Sequence, residues 1–183
     1  MTDAELLAQL SRGEQTAFQL LYERHWNAVY RFAWMLTRSV PDAEDVTQEC
    51  FLVLARKPWA HDASRSQLRT WLVAIARNLC YQRFDLAART EALQPEDDAG
   101  YEPRIDEQLI RKENAEALRN AMAALPVAQR EALFLFEFEQ MSLEETAAAL
   151  RIETNAVKAR LHRARQALKR ALCQMRPTAE AGK

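Results

Sequence analysis

Glycine is nearly missing from this chain, with Gly13, Gly100 and Gly182 its only three among 183 residues. A sequence so poor in the residue that accepts left-handed backbone can make few tight turns, which argues against a sheet of hairpins. No apolar stretch approaches the roughly 20 residues that span a bilayer, and the acidic opening MTDAE does not read as a secretory signal. Cysteine is scarce too: Cys50, Cys80 and Cys173 are odd in number, far apart and without metal-ligand spacing. They read as reduced thiols of a cytoplasmic protein, packed as small hydrophobes. The sequence also lacks a glycine-rich phosphate loop, a His/Cys/Asp cluster and a nucleophile–base pair, so nothing argues for an enzyme, a metal or a cofactor. Its three histidines, His25, His61 and His162, read as surface residues of helices and loops.

Charge of one sign is absent only on average. The net charge is −1, without the basic excess of a typical nucleic-acid binder, yet the charge is unevenly placed. Residues 158–170, KARLHRARQALKR, hold Lys158, Arg160, Arg163, Arg165, Lys169 and Arg170 and no acid. Between Glu91 and Glu107 stand Glu96, Asp97, Asp98, Glu102 and Asp106 against Arg104 alone.

What the chain has in abundance is helix formers, Ala, Leu, Arg, Gln and Glu, with 49% hydrophobic residues, enough for packed cores. The expected fold is all-α: two small helical domains joined by a flexible linker. The linker is read at 86–112, where Pro95, Gly100, Pro103 and most of the acidic cluster interrupt apolar periodicity. One domain then spans 1–85, the other 113–175, and 176–183 is a short tail.

In the first half, Phe18, Leu21, Tyr22, His25, Val29, Phe32, Ala33 and Leu36 recur at the three-to-four spacing of a core-facing helix over 17–37. After Pro41, Asp42 is a candidate N-cap, with Asp45 three residues on, for a helix from Ala43 to about Lys57. That helix buries Val46, Cys50, Val53 and Leu54 and presents Asp45, Gln48, Glu49, Leu52 and Arg56 on its other face. A polar run at 61–67 separates it from a helix over 68–85. In the second half, one helix runs through Ala115, Leu118, Met122 and Leu125, and another covers about Ala128–Glu139.

The most informative segment follows. Ser142 caps a short helix and Glu145 completes a capping box. Arg151-Ile152-Glu153 makes a turn, and Thr154 can cap a long second helix. Two helices joined by three or four residues, the second basic, form the pattern of a helix-turn-helix. On the second helix Val157, Leu161, Ala164 and Leu168 fall on one face, with His162, Arg163, Gln166, Lys169 and Arg170 opposite. A groove-reading helix needs that division. Any amphipathic helix has a charged, solvated face, so it is the tight turn and the caps that point to DNA.

The segment MSLEETAAALRIETNAVKARLHRARQALKRAL resembles the promoter-binding helix-turn-helix of extracytoplasmic-function sigma factors, members of the sigma-70 family. AFQLLYERHWNAVYRFA, DAEDVTQECFLVLARKPW and LRTWLVAIARN resemble, in order, the blocks of that family's other domain, so the likeness covers roughly 5–85 and 113–172. It implies a subunit that directs RNA polymerase to promoters and does no catalysis itself. It further implies that the helix bearing Asp45, Gln48 and Glu49 docks on the clamp coiled coil of core RNA polymerase. Asp42, Glu44 and Asp45 also suit the positive end of a helix dipole. By the same resemblance His61, Asp62, Ser64, Arg65 and Asn78 contact an unpaired −10 base, an amide being able to read a base edge. Asn78 also fits an ordinary helix surface, and Trp59 and Trp71 are read as packing residues rather than stacking platforms. Lys158, Arg160, His162 and Arg163 fall where the family contacts the −35 element. Family members are commonly restrained by an anti-sigma factor, which makes one an expected partner.

A linker of about 27 residues has a root-mean-square span near 30 Å and an extended limit of about 90 Å. Two duplex turns, the family's −35 to −10 separation, measure about 70 Å. The free chain is therefore expected to hold its domains closer together than promoter DNA would. One departure stands out: the family often has glycine in the turn where this chain has Arg151, which costs roughly a kcal/mol in left-handed backbone. A ligand-sensing helix-turn-helix regulator would leave DAEDVTQECF unexplained, and a degraded sigma mimic would lack the basic helix.

Overall fold

The computed structural model describes residues 1–64, 66–90 and 117–175, and every regular element among them is helical. Helix α1 (Asp3–Leu10) opens with a reciprocal cap: the Thr2 hydroxyl accepts from the Glu5 N–H and the Glu5 carboxylate accepts from the Thr2 N–H. Gly13, at φ +89°, supplies the left-handed turn into α2 (Gln15–Thr37). Helix α2 ends at Arg38, itself left-handed, whose N–H donates to the Trp34 carbonyl at 2.8 Å.

Helix α3 (Val40–Arg56) starts earlier than expected. Its cap is Ser39, whose hydroxyl accepts from the Asp42 N–H at 3.3 Å, and not Asp42. Pro41 belongs to the first turn, where a missing N–H costs nothing, so it opens the helix instead of preceding it. A 3-10 turn (Pro58–Ala60) leads to α4 (Leu68–Thr90), which continues past the expected end at Asp85. The expected linker beyond residue 90 and the tail 176–183 lie outside the described residues.

Leu6, Leu21, Phe32, Phe51, Leu54 and Leu72 form the centre of the first half's core. Cys50 and Cys80 are buried in it, as the sequence suggested, and burial pushes both thiols up to about 12. His25 follows the core-facing stripe on which it falls and not the surface reading: it is 6% exposed, with Nε2 2.9 Å from an Asp3 oxygen. Its position on the inward stripe of α2, four residues from Leu21 and Val29, puts it there.

The second half begins with α5 (117–123) and α6 (Val127–Leu133). Where one α-helix was expected to Glu139, the chain winds into a π-helical segment, Phe134–Phe138, closed by the Glu139 N–H donating to the Phe134 carbonyl at 3.1 Å. The wider turn stacks Phe134 on Phe138, with ring centroids 5.6 Å apart, and carries Glu139 inward to 3% exposure. Helices α7 (Leu143–Leu150) and α8 (Thr154–Met175) complete the fold.

The two halves share one hydrophobic cluster. Helix α4 packs on α7, and Phe32 meets Phe134 at 6.2 Å between centroids. Two ion pairs cross the seam, Arg77 to Glu131 at 2.8 Å and Arg31 to Glu139 at 2.7 Å. Both carboxylates come from the second half and both are buried. Burial raises the Glu139 pKa, while Arg31 and Arg69 pull it down. A buried charge tolerates this position only when paired.

Candidate nucleic-acid interface

The helix-turn-helix is set by local chemistry. Ser142 Oγ accepts from the Glu145 N–H at 3.0 Å and Glu145 Oε2 accepts from the Ser142 N–H at 2.7 Å, fixing the start of α7. At its end Arg151 takes φ 55°, ψ 48°. The Ile152 N–H donates to the Ala147 carbonyl at 3.0 Å and the Arg151 N–H to Ala148 at 3.3 Å, the paired bonds of a Schellman motif. The turn is thus of the ordinary shape, with an arginine held where glycine is easier. Thr154 lies inside α8 and does not cap it, because the Glu153 carbonyl already accepts the first helical bond from Val157 at 3.1 Å.

Helix α8 buries Val157, Leu161 and Ala164 against the domain and half-buries Leu168. At about 100° per residue, Lys158, His162, Arg163, Gln166, Lys169 and Arg170 fan over the opposite side, and all six are exposed. His162, Arg163, Gln166 and Arg170 line an open groove against Pro126 and Gln129 at the start of α6. Arg160 does not join them. It lies on the flank, half-buried, with Nη1 enclosed and unpartnered among the described residues. Arg165 is held by Glu137 at 2.6 Å and lies over the Phe136 ring.

In the first half, Asp45, Gln48 and Glu49 are exposed on the outer face of α3 as the sequence indicated, with Leu52 beside them. What it did not indicate is Arg83. From α4 its guanidinium reaches Asp42 at 3.6 Å and Asp45 and Glu49 at 3.5 Å each. The acidic face is therefore gathered around one cation and retains net negative charge.

Several side chains of the loop after α3 bond back to the loop itself. His61 Nε2 lies 2.9 Å from the Ser66 carbonyl, and the His61 ring meets Trp71 edge-on at 5.7 Å. Asp62 accepts from the Ser64 N–H at 2.9 Å and from its hydroxyl at 2.6 Å, so these two side chains shape the loop. Arg65 lies outside the described residues. Asn78 is half-buried on α4, seven residues beyond Trp71 and on nearly the same face. Trp71 packs as expected, but Trp59 does not: it is 73% exposed. The 3-10 turn buries Pro58 and directs the adjacent indole outward.

Among the described residues, no helix is long and apolar enough to cross a membrane. The family model described as Sigma-70 region 2 matches residues 21–90, and that described as Sigma-70, region 4 matches 115–168. The ECF RNA polymerase sigma factor SigM of Mycobacterium tuberculosis is 33% identical over 173 residues, covering 93% of this chain and 85% of that protein. The ECF RNA polymerase sigma factor SigW of Bacillus subtilis is 26% identical over 177 residues, covering 91% and 94%. Solved structures are similar as well. CnrH in complex with the cytosolic domain of CnrY gives a TM-score of 0.71 at 26% identity, covering 95% of this chain and 99% of that one. RpoE in complex with the anti-sigma factor NepR, from Bartonella quintana, gives 0.74 at 25% identity, covering 87% and 98%.

Proposed function

Since the chain belongs to the extracytoplasmic-function sigma factors of the sigma-70 family, we propose that its surfaces divide promoter recognition between the two halves. The protein is a transcription initiation factor, not an enzyme, and directs core RNA polymerase to promoters. Residues 113–175 form the −35 domain, residues 1–85 the core-binding and −10 domain, and 86–112 the connection between them. The observation that carries this reading is the fan of Lys158, His162, Arg163, Gln166 and Arg170, exposed on a helix whose other face is docked. Such a helix meets phosphates and base edges with its donors. Arg160 stands at the edge of this fan, half-buried on the flank of the helix.

The acidic face of Asp45, Gln48 and Glu49 docks on the clamp coiled coil of core polymerase, and Asn78 with the His61–Ser66 loop receives the unpaired −10 base. Asp62 and Ser64 hold that loop in shape, and Arg65 belongs to the same segment. The protein works in the cytoplasm, where core polymerase is. An anti-sigma factor is its expected regulator, since the structural relative RpoE is seen bound to one. Run-off transcription with core polymerase on genomic fragments tests the reading. The chain should yield discrete transcripts, and a Gln48→Lys, Glu49→Lys double variant should yield none while remaining folded. Undiminished transcription by that variant would place the docking surface elsewhere.

A further inference from the structure

Helix α4 sets one cation against the acidic face of α3. The Arg83 guanidinium lies 3.6 Å from Asp42 and 3.5 Å from both Asp45 and Glu49, which stand on successive turns of α3. The three carboxylate side chains are 53%, 64% and 51% exposed and that of Arg83 is 30% exposed, so the acids face solvent and the cation lies beneath them. None of these contacts is as short as the roughly 2.8 Å of a tight charge-assisted hydrogen bond. Pairs so long and so wet contribute little to stability. The fold therefore does not need Arg83 as it needs Arg77, whose partner Glu131 is buried. What Arg83 does change is the charge of the face, by cancelling one of three negative charges. An acidic patch draws a basic partner, and a charge at the rim of a contact acts mainly through the rate of encounter.

We propose that Arg83 sets the affinity of the core-docking surface: from beneath Asp42, Asp45 and Glu49 it weakens the field with which that surface draws core RNA polymerase. The proposal rests on the reading of the outer face of α3 as that surface. Arg83 slows the capture of core and loosens the complex without touching polymerase itself. Because it comes from α4 and not from α3, the strength of docking is set apart from the residues that make the contact. Two unit charges about 4 Å apart in water interact by about a factor of five, and salt screens exposed charges further, which limits what one half-exposed cation can do.

The test follows association of the full chain with core polymerase at low and at high salt. Arg83→Gln should associate about two- to five-fold faster than the parent at low salt and bind tighter by a similar factor. The gain should shrink as salt rises. Arg83→Lys should match the parent, because the charge stays. Asp42→Asn, which removes one of the three carboxylates, should shift binding in the opposite sense. Circular dichroism and unfolding midpoints of these variants should stay close to those of the parent. Unchanged binding by Arg83→Gln would overturn the proposal, and so would weaker binding, which would make Arg83 a support for the carboxylates or a polymerase contact. The Gln48→Lys, Glu49→Lys double variant tells the two readings apart. If it loses core binding while Arg83→Gln binds as the parent does, the role of Arg83 is refuted and the docking face stands. If it binds core undiminished, the docking face fails and the role of Arg83 with it.

Discussion

Arg77→Met removes one side of the seam. Glu131 is fully buried, and Arg77 grips it twice, Nε to Oε1 at 2.8 Å and Nη2 to Oε2 at 3.4 Å. The Arg77 guanidinium also lies over Tyr81, 4.7 Å from the ring centre. Methionine keeps much of the volume and none of the charge, leaving a buried carboxylate alone at a cost of about 3–5 kcal/mol. The two residues belong to different halves, so the chain can relieve that cost by opening the seam and wetting Glu131. The closed-to-open ratio should fall by roughly two to four powers of ten. Dyes on the exposed Cys173 and on an Ala55→Cys variant would report the separation by energy transfer, since Cys50 and Cys80 are buried. The single variant should shift to longer distances. The double variant Arg77→Met, Glu131→Leu should close again, because replacing a buried pair by apolar groups is often neutral or stabilising. An unchanged distance distribution for Arg77→Met would mean that the pair does not hold the halves together.

Other outcomes follow from single sites. Arg151→Gly should stabilise the second half by about 1 kcal/mol, read by urea unfolding, because it relieves a left-handed arginine without touching the Schellman bonds. Arg163→Ala should weaken −35 binding by about 1–3 kcal/mol with little loss of stability. Burial lowers the His25 pKa from 6.5, against the opposing pull of Asp3. Its folded pKa being depressed, the stabilisation is complete above pH 6.5 and is lost as pH falls towards the folded value. The unfolding midpoint of the parent should therefore drop more than that of His25→Leu on acidification through this range. Iodoacetamide should modify Cys173 alone in the native chain, since burial holds the other two thiols near 12.

The elements legible in the sequence are those built from neighbours. Ser142 and Glu145 are three residues apart, and the α8 stripe of Val157, Leu161 and Ala164 repeats every three or four, so both could be read directly. The start of α3 was legible in principle: Ser39 followed by a proline in the first turn is a capping signal, but Asp42 competed for it. His25 pairs with Asp3 across 22 positions and Arg77 with Glu131 across 54, and no local pattern announces such partners. The π turn at Phe134–Phe138 was hidden because a π turn and an α turn use the same residue types. Arg83 among three carboxylates depends on how α3 crosses α4. Trp59 was misread because Trp usually packs, and nothing local shows which way a 3-10 turn aims its side chain.

The division of promoter contacts between the halves is tested most directly by footprinting on one promoter, with and without core polymerase. Residues 1–85 carry ten Lys and Arg against ten Asp and Glu, so they lack the phosphate-neutralising charge that duplex affinity needs. The free chain should bind weakly, with strong salt dependence, and protect only the −35 side. Core polymerase should add −10 protection, and Asn78→Ala should reduce it while leaving the −35 footprint intact. Clear −10 protection of intact duplex by the free chain would contradict the account.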